Sequence, residues 1–219
     1  MKNTILLLTL LLSSATFANL ETATFRDSLL IDPGTNQPFT GNIELINTDW
    51  NTVELSKDYV DGLLHGIERI YYQSGQLQSA GSYQNGLMEG VTKVYYEDGS
   101  LRIIMQAKNN VKEGRYISFY SNGQRQVERF YQNDKIHGQE RAWFDNGNPM
   151  ISRHYFNGVL VGQVSTYYES GRLFERSRVK DGKLTNTLFY KEDGTLYDEK
   201  YRMIMLNILN PTSIFNIII

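Results

Sequence analysis

Hydrophobic and polar positions along this chain repeat with a period of 24 residues. Five copies align without gaps from residue 61 to residue 180, typified by NGLMEGVTKVYYEDGSLRIIMQAK at 85–108. Val91 to Glu97 reads as one strand, rich in valine and tyrosine, and Ser100 to Lys108 as its return. Asn109 to Glu113 then leads into the next copy. A unit this short, with glycines nine residues apart, leaves no room for an amphipathic helix of ordinary length.

Two glycine series and one aromatic pair keep strict register. Gly66, Gly90, Gly114, Gly138 and Gly162 hold the first position, and Gly75, Gly99, Gly123, Gly147 and Gly171 the second. Before each second glycine stand Tyr71-Tyr72, Tyr95-Tyr96, Phe119-Tyr120, Trp143-Phe144 and Tyr167-Tyr168. All ten glycines are expected in turns. Asp98-Gly99 carries the two-residue signal of a type I′ hairpin, in which both central residues take φ > 0. Asn-Gly or Asp-Gly recurs at the junctions between copies: Asp61-Gly62, Asn85-Gly86, Asn157-Gly158 and Asp181-Gly182. A shortened sixth copy follows, with Asn186 in place of the first glycine, and an eroded one leads from about Asn36 through Phe39-Thr40-Gly41. Atypical end copies suit a stack that must be capped.

The expectation is an all-β chain. About seven hairpin repeats would form one elongated antiparallel meander of roughly fourteen strands, twisted or curled, about 65 Å long at ~4.8 Å per strand. The expected division is a signal peptide at 1–18, a lead-in at 19–35, a degenerate first repeat at 36–60, the array at 61–201 and a hydrophobic tail or cap at 202–219. Lys2, the apolar run Ile5–Leu12 broken only by Thr9, and Ser13 to Ala18 form the pattern of an export signal, cut after Ala18 or Ala15. Export places the mature chain in the periplasm, at the cell surface or outside the cell. Met203 to Ile219 carries no charge. Pro211 and three asparagines argue against a membrane span there, and capping of an open sheet edge is the favoured role.

Composition narrows the chemistry. With no cysteine, an exported domain must hold by packing and hydrogen bonds, and thiolate zinc is excluded. Formal charge is −2, or −3 once Lys2 is removed, which disfavours a general nucleic-acid binder. The charge is uneven: residues 109–180 hold 11 Lys and Arg against 7 Asp and Glu. Of the three histidines, His65 and His137 share one repeat position 72 residues apart, so a structural role outweighs metal binding; no cofactor is expected. No nucleophile, metal-protease, P-loop or dinucleotide motif is present, and a non-enzymatic chain is expected.

The repeat, with its G-x-x-x-x-Y-Y-x-x-G core and Asn/Asp-Gly ending, resembles the variant MORN repeat over 61–201 and weakly over 36–60. That resemblance implies a protein-binding scaffold. It also brings two alternatives: an antitoxin or immunity protein of the YwqK type facing a toxin, and a lipid-associated scaffold. Adjacent aromatics point to opposite faces of a strand, so the columns are either glue between copies or a binding stripe. If a stripe, the candidate anchors are Tyr120, Arg125, Arg141, Trp143 and Tyr167, with Trp143 the most informative because it replaces Tyr or Phe.

Overall fold

A computed structural model describes residues 24–47, 49 and 51–208. The expected signal peptide and the last part of the tail, 209–219, lie outside the described residues. The chain begins with a small antiparallel sheet: β1 (Thr24–Arg26), β2 (Leu29–Asp32) and β3 (Gln37–Pro38). A second sheet of fourteen strands then follows in chain order. It is an antiparallel meander and does not close on itself. The all-β hairpin architecture is therefore as the periodicity indicates. Two compact units, 1–113 and 114–219, divide the chain.

The first unit contains β4 (Gly41–Asn47), β5 (Thr52–Val60), β6 (Leu63–Tyr71), β7 (Leu77–Gln84), β8 (Leu87–Tyr95) and β9 (Leu101–Lys108). The small sheet is fastened to it at the turn after β5. Leu30 N–H donates to the Gly62 carbonyl at 2.9 Å, and Gly62 N–H to the Phe39 carbonyl at 2.8 Å. Leu30, Ile31 and Phe39 are buried there. Gly62 is needed at this point: a Cβ would lie 2.9 Å from both the Leu29 Cβ and the Leu30 carbonyl oxygen.

The boundary falls within β10 (Val111–Phe119), and the second unit continues through β11 (Arg125–Gln132), β12 (Lys135–Ile136), β13 (Gly138–Trp143), β14 (Pro149–Phe156), β15 (Val159–Tyr167), β16 (Leu173–Lys180) and β17 (Lys183–Phe189). Here β12 and β13 are one strand interrupted at His137, whose N–H donates to the Phe130 carbonyl. Cross-strand pairing lines up Ser118, Val127, Ala142, Ile151, Thr166, Glu175 and Phe189 in one row. Val127, Ala142 and Ile151 form its buried core, with Met150 packed against them. Each fully buried valine or isoleucine contributes about 1.5–3 kcal/mol.

The turns differ from expectation in an instructive way. Type I′ geometry occurs at the junctions between copies, where Asn85 and Gly86 take φ of 51° and 80°. Asn109-Asn110 and Asn133-Asp134 do the same without glycine. At Gly99 only the glycine is left-handed, at φ 84°. Gly99 N–H donates to the Tyr96 carbonyl and Tyr96 N–H to the Ser100 carbonyl, which closes a three-residue loop: a type I turn followed by one left-handed residue. The first glycines are not in turns. Gly90, for example, lies within β8 at φ 101°, where the register with β7 breaks between Gly81 and Tyr83. Gly66 within β6 marks a similar break, and a Cβ there would approach Asp58 Cβ to 2.9 Å. These glycines, with Gly162 in β15, allow the bulges at β6, β8 and β15. Asn186 keeps the function in the last copy at φ 52°. Because of the bulge, strands begin earlier than the sequence suggests: β10 starts at Val111, inside the segment expected to be a connection.

The start of the apolar C-terminal segment is α1 (Glu199–Ile208), a helix that the repeat pattern does not announce. Asp198 caps it by accepting a hydrogen bond from Tyr201 N–H at 2.8 Å. Tyr201 stacks on Tyr197 with centroids 3.8 Å apart. Among the described residues no helix is long and apolar enough to cross a membrane.

Candidate functional site

The two aromatic columns have different tasks. In the second column three hydroxyls reach one copy ahead. Tyr72 donates to the Tyr95 carbonyl at 2.7 Å, Tyr120 to the Trp143 carbonyl at 2.9 Å and Tyr168 to the Tyr190 carbonyl at 2.8 Å. Burial, and then a hydrogen bond and repulsion from Tyr197, raise the Tyr168 hydroxyl well above the ordinary tyrosine range. The loop side chains repeat the same reach: Asn122 donates to the Asp145 carbonyl and Asn146 to the Glu169 carbonyl. His65 and His137 meet the side-chain oxygens of Asn85 and Asn157, in the junction turn of the following hairpin, at 3.4 and 3.2 Å. No group of three metal-ligating side chains occurs among the described residues.

Tyr120 thus works as a clasp between copies, its hydroxyl engaged by the Trp143 carbonyl. The first aromatic column occupies the other face. Phe119 and Trp143 line a shallow depression with Gly123, Gln124, Arg125 and Gly147. Trp143 is half-buried there, neither sealed in the core nor standing free. Tyr167 is also half-buried and follows Ser165 by two residues, as Trp143 follows Arg141. The aromatic ring therefore lies beside the same polar row in both strands.

That polar row is set by register. Glu128, Arg141, Ser152, Ser165, Arg176 and Leu188 are successive cross-strand partners from β11 to β17. Arg141 and Arg176 are exposed, Ser152 is half-buried and Ser165 buried, so a low polar strip lies between two raised guanidinium groups. Arg178, also exposed, is two residues beyond Arg176 on the same strand face. Glu128 is the acid of this row, and Arg115 and Arg125 engage it, Arg125 at 3.5 Å. No ion pair holds Arg141, Arg176 or Arg178 among the described residues; Arg176 lies over the Tyr190 ring at 5.9 Å. The face keeps a net positive charge in front of a half-apolar wall.

The opposite face has the reverse economy. Glu140 is buried and pairs with Arg153 at 2.9 Å and Arg129 at 3.6 Å, the closer contact lying off the hydrogen-bond direction. Arg129 covers the Tyr116 ring at 5.1 Å. Burial, then the Glu140 charge, raises the Tyr155 hydroxyl. In the first unit Glu68 pairs with Lys57 at 2.8 Å and accepts the Tyr83 hydroxyl at 3.1 Å. The Tyr83 pKa is pushed up to about 12, chiefly by burial and then by that carboxylate. These charges are largely spent on one another.

Of the five anchors expected from the sequence, the structure gathers Arg125, Arg141, Trp143 and Tyr167 on one face and turns Tyr120 away. Arg176, Arg178 and the two serines were missed. Only the recurrence of small or cationic residues at positions 152, 165 and 176 could have pointed to them. No curated protein matches the chain. Residues 64–85, 88–109 and 112–133 match the MORN repeat variant. Three consecutive copies within residues 64–133 are thus variant MORN repeats, a repeat class associated with binding and scaffold roles.

Proposed function

We propose that this chain is an exported, non-enzymatic binding module that holds a protein partner across the basic, aromatic-walled face of residues 114–180. The observation that supports it is the Arg141–Ser152–Ser165–Arg176 row beside Trp143 and Tyr167. It combines unspent cations with half-exposed aromatic surface, the residue types on which binding energy concentrates. Immobilised protein beginning at Asn19 should capture a partner from an envelope or culture-fluid extract. The double variant Arg141→Ala, Trp143→Ala should lose that partner while keeping its β-type circular dichroism. Undiminished capture by the folded variant would overturn the assignment to this face. Action outside the cytoplasm rests on Lys2, Ile5–Leu12 and Ala18. N-terminal sequencing of the processed protein should begin at or near Asn19, and an intact Met1 in a cytoplasmic fraction would refute it.

A further inference from the structure

We infer that the ligand of this face is an extended acidic peptide segment laid across the strands, with carboxylates four residues apart on Arg141 and Arg176. The inference rests on the binding-face reading above and names its partner chemistry. Arg141, on β13, and Arg176, on β16, are separated by three inter-strand steps, about 14 Å at ~4.8 Å each. An extended peptide advances about 3.4 Å per residue and returns side chains to the same side every second residue. Its positions i and i+4 therefore lie about 13.5 Å apart on one side, whereas i and i+3 point to opposite sides. The floor between the arginines is Ser152 and Ser165, low enough for a backbone to approach. Gln139 and Gln163 steady those hydroxyls from the adjacent positions, at 3.4 and 3.1 Å. Trp143 and Tyr167 wall one side, and Arg178 adds a third cation on the other. Charge complementarity selects the occupant: Glu128 is already engaged by Arg115 and Arg125, which leaves these three arginines to an external acid.

The test uses the mature protein and three synthetic nonapeptides of glycine and serine. One carries Glu at positions 3 and 7, one Glu at 3 and 6, and one Gln at 3 and 7. Binding is followed by amide chemical-shift titration and by the fluorescence of Trp143, the other tryptophan in the sequence being Trp50. The 3,7-diglutamyl peptide should bind at least about fivefold more tightly than either other peptide. It should weaken about tenfold with Arg141→Ala or Arg176→Ala, the loss of one charge-assisted contact. The double swap Arg141→Glu, Arg176→Glu should prefer the matching dilysyl peptide. Both arginines are exposed, and circular dichroism checks that each variant folds. Equal binding of the glutamine or 3,6 peptide would overturn the inference. So would tighter binding of polyphosphate or of phosphatidylglycerol vesicles, which would mark a general polyanion or lipid surface. If partner capture requires Arg141 and Trp143 but the acidic peptide does not bind, the binding face stands and its acid chemistry falls. If capture ignores those residues, the face itself is misassigned.

Discussion

Replacing Phe144 by tyrosine should stabilise this protein, because one rung of a hydroxyl ladder is absent there. Tyr72, Tyr120 and Tyr168 each hand a hydrogen bond to the backbone carbonyl of the first aromatic one copy on, at 2.7 to 2.9 Å. Phe144 has the same place in its copy and no hydroxyl, and the corresponding acceptor is the Tyr167 carbonyl. A hydrogen bond of this kind contributes about 0.5–1.5 kcal/mol net. For a chain near 200 residues, 1 kcal/mol moves the melting midpoint by about 2–4 °C. Phe144→Tyr should thus raise the midpoint by about 1–6 °C. Tyr120→Phe should lower it by a similar amount, since it also leaves the half-buried Trp143 carbonyl without its donor. Thermal melts by circular dichroism, with hydrogen exchange at the β13 and β15 amides, read both changes. If Tyr120→Phe is destabilising but Phe144→Tyr is neutral or harmful, the ring at 144 does not occupy the ladder geometry. If both are neutral, the ladder does not hold the copies together.

Four further outcomes test other parts of the structure. Gly99→Val puts a β-branched residue at φ 84° and should cost about 1–3 kcal/mol in a denaturant melt; an unchanged midpoint would show that the loop relaxes freely. Gly62→Ala should release the small sheet, seen as rapid exchange of the Leu30 amide, because the new methyl would meet a backbone oxygen at 2.9 Å; continued protection would contradict that contact. Burial raises the Glu175 carboxyl pKa, against weaker hydrogen bonds from Ser177 and Thr166. Its ionisation therefore costs stability as pH climbs from the ordinary carboxylate range through the raised value, and Glu175→Gln should stabilise more at pH 7 than at pH 3. An equal gain at both pH values would refute this. Trp143→Ala, at a half-buried site, should lose about 1.5–2.5 kcal/mol, roughly half the cost of a fully buried ring, while abolishing partner capture; a loss above 4 kcal/mol would make it a core residue.

The hairpin architecture is legible in the sequence because two glycine series and an aromatic pair advance together by 24 residues. The assignment of turn types was less legible. Asp-Gly serves a three-residue loop at 98–99 as well as a two-residue turn at 61–62, and local sequence alone does not separate them. Asn109-Asn110 and Asn133-Asp134 show that left-handed pairs here can do without glycine, while Gly90 and Gly114 show a glycine required inside a strand. The internal bulges at β6, β8, β15 and β17 shift the register there. For that reason the row joining Arg141 to Arg176 could not be drawn from spacing, although Arg141, Trp143 and Tyr167 could be singled out by position and type. Helix α1 is not legible in the sequence because its apolar residues run on into the uncharged tail; Asp198, three residues before Tyr201, is its one local signal.

The bonds between copies have a consequence for how such a chain can vary. Tyr120 to Trp143, Asn122 to Asp145 and Asn146 to Glu169 all span 23 residues, from a fixed place in one copy to a fixed place in the next. Excising 24 residues between equivalent positions brings another aromatic carbonyl and another loop carbonyl to the waiting donor. Removing 12 would join a first strand to a first strand and leave donors facing the wrong edge. Length is thus adjustable in whole modules, with no new contact to invent, and a gene for such a protein can gain or lose reach by unequal crossing-over.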